Sequence, residues 1–76
     1  MMMETFEHIL LFKTNISHDA DKLALGNLLK QTPEIEHWNI DMEDEDRVLR
    51  IVSHGLTHSG IIDLLTQHGY ECCELV

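Results

Sequence analysis

Seventy-six residues carry 14 acidic against 5 basic side chains, a formal net charge of −9. A chain of that length is expected to form one domain, residues 1–76, with a two-layer core and no room for a deep enclosed active site. Its anionic balance disfavours nucleic acid and anionic lipid, whose phosphates it cannot neutralise, and suits cations or a basic partner; its longest apolar run, Ile9 to Phe12, is far too short to span a membrane, so a cytoplasmic protein is expected.

The first strand is read from alternation. Phe6, His8, Leu10 and Phe12 interleave with Glu7, Ile9, Leu11 and Lys13, the period of two of a strand buried on at least one face. A helix begins within five residues. Ser17 stands as its N-cap, Asp19 and Asp21 put negative charge in the first turn, and Leu25, Leu28, Leu29 and Thr32 recur at spacings of three and four. It ends near Gln31, because Pro33 restrains Thr32 and cannot donate to the hydrogen-bond ladder. In the second strand Ile35, Trp38, Ile40 and Met42 form the apolar set, with His37, Asn39 and Asp41 outward.

Glu43 to Asp46 is the hairpin connection into a third strand, Arg47 to Ser53. There alternation alone leaves open whether Leu49 and Ile51 or Val48, Arg50 and Val52 face the core. Thr57 caps a second helix carrying Ile61, Ile62, Leu64 and Leu65, and Gly69 stops it in a left-handed conformation. Glu71 to Val76 closes as an edge strand. This order predicts an α+β fold, the ferredoxin-like βαββαβ sandwich: a four-stranded antiparallel sheet with two helices on one face. The first strand then lies between the third and fourth. The turn 14–21, the acidic hairpin and the 68–70 loop share one end, and the 33–37 and 54–58 segments share the other.

Extending the helical stripe backward places His18 and Asp21 above Leu25. Imidazole and carboxylate there are candidate ligands for a divalent metal ion, with His68 or Asp19 closing the shell. Against this, Asp19 and Asp21 serve the helix dipole without any metal, and a helix N-terminus presents positive potential to a cation. His37, His54 and His58 are candidates for a second site at the far end, if they converge. The acidic run Asp41 to Asp46 lacks the glycine and spacing of an EF-hand and reads as a solvated turn. Cys72 and Cys73 are adjacent, so on a strand they point to opposite faces and are expected as thiols. No nucleophile elbow, glycine-rich phosphate loop or His-Glu-x-x-His occurs, and no enzyme is expected.

In order and spacing the apolar first strand, the turn into helix one, Pro33-Glu34-Ile35, Trp38-Asn39-Ile40-Asp41 and Gly69-Tyr70 resemble the heavy-metal-associated domain of copper chaperones and metal-pumping ATPases. Members that carry metal have a Met-x-Cys-x-x-Cys turn. The match puts Ile16, His18 and Asp21 at those three positions, so the soft thiolate pair suited to Cu(I) is replaced by donors suited to Zn(II), Ni(II), Cu(II) or Mn(II). The resemblance implies metal binding or transport with altered specificity at His18 and Asp21, and a place beside the metal loop for Tyr70. The alternative is a metal-free protein-interaction or regulatory domain, a monomer or weak homodimer, that docks a partner or second copy. Its uncovered sheet face would carry either Ile9 and Leu11 or Phe6, Leu10 and Phe12.

Overall fold

The structure, a computed structural model, describes residues 9–75. The expected strand positions Phe6, Glu7 and His8, and the closing Val76, lie outside them. Six elements follow the expected order: β1 (Ile9–Thr14), α1 (Asp19–Lys30), β2 (Ile35–Ile40), β3 (Leu49–Ser53), α2 (His58–Gln67) and β4 (Cys72–Glu74). The strands lie in the order β2-β3-β1-β4 with every neighbouring pair antiparallel. The fold is ferredoxin-like α+β, and β1 lies between β3 and β4.

Alternation sorts the faces. In β1, Leu10, Phe12 and Thr14 turn inward and are buried, leaving Ile9, Leu11 and Lys13 on the other face. In β3, Leu49, Ile51 and Ser53 are buried while Arg50 and Val52 are more exposed, which resolves the choice that alternation left open. In β2 a register irregularity between Ile35 and His37 sets Ile35 opposite Ser53 and Trp38 opposite Ile51. One odd and one even position therefore reach the same core, because the extra residue resets the pleat.

Leu25 and Leu29 of α1 and Ile61 and Leu65 of α2 join Leu10, Phe12, Ile40, Leu49 and Ile51 in one cluster, so both helices cover the same sheet face. Each such side chain contributes roughly 1.5–3 kcal/mol by leaving water. Ile16, just past β1, is fully buried among them.

Four boundaries differ from expectation, the first being that β2 ends at Ile40, ahead of Met42. The cap position of α1 is His18, not Ser17, with φ −126 and ψ 154 and no side-chain cap bond. Ser17 turns its hydroxyl to within 3.2 Å of His18 Nδ1 instead, and the first helical bond runs from the Lys22 amide to the His18 carbonyl at 3.1 Å. β3 starts at Leu49 because Arg47 adopts φ 46, a left-handed turn that interrupts extended backbone. β4 is limited to Cys72–Glu74.

The second helix is delimited as expected. Thr57 accepts from the Gly60 amide at 3.2 Å, and Gly69 takes φ 89. The Gly69 amide reaches the Thr66 carbonyl and the Tyr70 amide the Leu65 carbonyl, both at 3.0 Å, the paired bonds of a Schellman stop. No helix among the described residues is long and apolar enough to cross a membrane.

Candidate functional site

The three loops expected at one end meet there. The Thr14 amide donates to the Asp46 carbonyl at 3.1 Å and the Asn15 amide to the Glu71 carbonyl at 3.3 Å, and the Glu71 amide donates back to Asn15 Oδ1 at 2.9 Å. Beside them His18 Nδ1 stands 3.5 Å from Asp21 Oδ2, with side chains 80% and 36% exposed. The spacing of three along the first turn brings the pair together, as the sequence implies.

Among the described residues no third ligand joins them. His68 Nδ1 donates to the Leu64 carbonyl of its own helix at 2.9 Å, and among the described residues no three His, Cys, Asp or Glu side chains are grouped to hold a metal ion. Two donors fall short of the four of a closed zinc site, and the helix N-terminus opposes a cation. Tyr70 is half-buried and packs against the core.

The far-end histidines do not converge. The His54 ring contacts the Glu36 carboxylate and His37 faces Val52 across the β2–β3 ladder. His58 instead packs on Phe12, ring centroids 5.2 Å apart, with its Nε2 3.9 Å from Glu74 Oε2. Its neighbours belong to β1 and β4, whereas His37 sits on the opposite edge strand. The strand order itself separates them.

The acidic connection is a clasped turn. Arg47 donates to the Met42 carbonyl at 2.5 Å and the Asp44 carbonyl at 3.2 Å, while Asp41 and Asp44 accept from the Glu43 and Asp46 amides at 3.0 and 2.7 Å. Lys13 approaches Asp46 at 3.5 Å. Cys72 and Cys73 are both free thiols. Cys72 packs against the core, where burial, with Cys73 adding to it, pushes its thiol up to about 11. Cys73 is exposed opposite Lys13.

The sheet face away from the helices carries Ile9, Leu11 and Val52. Leu75 extends this strip by alternation, since its amide donates to the Leu11 carbonyl at 3.0 Å. Leu11 is 37% exposed. Arg50 lies opposite Leu11, Lys13 stands toward one end of the strip, and the His54–Glu36 pair stands at the other. Comparison with family models, curated proteins and solved structures found no match.

Proposed function

We propose that this chain is a non-enzymatic cytoplasmic interaction module, a divergent heavy-metal-associated-type scaffold that docks a second copy of itself through the uncovered sheet face. The observation that carries the reading is the strip Ile9, Leu11, Val52 and Leu75 on a face that neither described helix covers. Charge supports a second copy as the occupant. Lys13, beside Asp46, marks one end of the strip and Glu36, against the His54 ring, the other, so a two-fold mate with antiparallel strands sets each exposed intramolecular pair toward the opposite charge of its partner. Four apolar side chains make a small contact and hence a weak dimer.

Sedimentation equilibrium across micromolar to millimolar protein tests it. A monomer–dimer isotherm that Leu11→Glu abolishes supports the reading, and a monomer throughout overturns it.

The second reading is divalent-ion binding at the turn, favoured by the 3.5 Å approach of His18 to Asp21. Water would complete its shell. Titration with Zn(II) and Ni(II) followed through amide NMR shifts tests it: saturable changes confined to residues 15–21 and lost in His18→Ala support it, and their absence removes it.

A further inference from the structure

Between α1 and the edge strand β2 lies an open groove of about 400 Å³, within the size range of small-molecule sites. Its floor is Gly26, where the lack of a side chain lets the Trp38 indole lie close against the helix: a Cβ there would stand 3.1 Å from Cζ2 of Trp38. The half-buried Trp38 indole forms one wall, and Leu23, 70% exposed, stands on the helix side. The helical contribution is a single stripe, Asp19, Lys22, Leu23, Gly26, Asn27 and Lys30, at spacings of three and four.

The charge of this groove runs against that of the chain. Two of the five basic residues line it in a molecule of net charge −9, and among the described residues neither Lys22 nor Lys30 is held in an ion pair. The single carboxylate among the described lining residues, Asp19, sits at the first turn, roughly 16 Å along the helix from Lys30. At the Lys30 end the Asn27 carboxamide adds a donor beside the ammonium.

We propose that the groove binds a small aromatic carboxylate. The flat apolar body rests on Trp38 above Gly26 and against Leu23, and the carboxylate points to Lys30 and Asn27, away from Asp19. Trp38 supplies stacking area and Lys22 adds a favourable field. This site is separate from the uncovered sheet face, and its occupancy does not depend on dimerisation.

The test uses 1-naphthoate as probe, with amide NMR and the indole N–H signal of Trp38, the sole tryptophan. Saturable shifts at that indole and at residues 22–30, with 1-naphthalenemethanol weaker by about three- to tenfold, are expected. Lys30→Glu should weaken naphthoate by a similar factor. Leu23→Asp and Gly26→Val should weaken it through the wall and the floor. Leu23 and Lys30 are exposed, so those two variants keep the fold and their amide spectra confirm it. No saturation at millimolar probe, shifts centred on Leu11 and Val52, or equal affinity in Lys30→Glu and Leu23→Asp would each overturn the proposal.

Discussion

The Thr14 hydroxyl donates to the Arg47 carbonyl at 2.7 Å, across 33 positions of sequence, and accepts from the Ile16 amide at 3.3 Å. One nearly buried oxygen thus ties the end of β1 both to the acidic turn and to the residue that seals the core. Thr14→Val keeps the shape and removes both bonds, leaving a carbonyl and an amide unsatisfied. The expected loss is about 1–3 kcal/mol in urea unfolding, with shifted amide signals across residues 44–47.

Arg47 combines a left-handed backbone with a side chain that clasps the turn. Arg47→Ala loses the clasp and keeps the strain, whereas Arg47→Gly loses the clasp and relieves the strain. The glycine variant should be the more stable of the two by about 1 kcal/mol, read from their urea midpoints.

The two helix starts differ in one hydrogen bond. Thr57→Ala should cost about 1 kcal/mol, because Thr57 holds the Gly60 amide. His18→Asn should add up to about 1 kcal/mol, since that side chain makes no capping bond to the helix amides and its exposed pair with Asp21 contributes little. Thermal unfolding of both variants checks the contrast.

The Cys72 thiol ordinarily ionises near 9.0 and in the fold near 11. Above the lower value the unfolded chain gives up a proton that the native state keeps. The stability tied to this group is therefore complete below pH 9.0 and falls as pH rises toward about 11. The difference in urea midpoint between wild type and Cys72→Ala should shift against the wild type across that window. Iodoacetamide should label the exposed Cys73 first, located by mass spectrometry of the digest.

Much of the fold was legible in local pattern, because strand alternation, the Thr57 cap and the Gly69 stop depend on neighbours in sequence. What escaped depends on partners far away. Ser53 is buried because its hydroxyl donates to the Glu34 carbonyl at 2.8 Å and accepts from the Gly55 and Leu56 amides, a set of bonds that no periodicity announces. Ile16 reads as a loop residue until the sheet closes over it. The nearness of His18 and Asp21 followed from helical spacing alone. The separation of His58 from His37 needed the strand order, and the Trp38–Gly26 approach needed the packing of α1 on β2.

The strand order also dictates how the chain must fold. β1 comes first among the described strands and stands inside the sheet, yet both neighbours arrive late, and the Asn15–Glu71 bond closes a span of 56 positions. Closing such a loop costs about 3–4 kcal/mol in chain entropy before β4, only three residues long, returns anything. Until then β1 keeps an open hydrogen-bonding edge beside apolar side chains. Its partners complete it last, so slow closure and early fraying of β4 set the interval in which nascent copies of this chain are most exposed to mispairing.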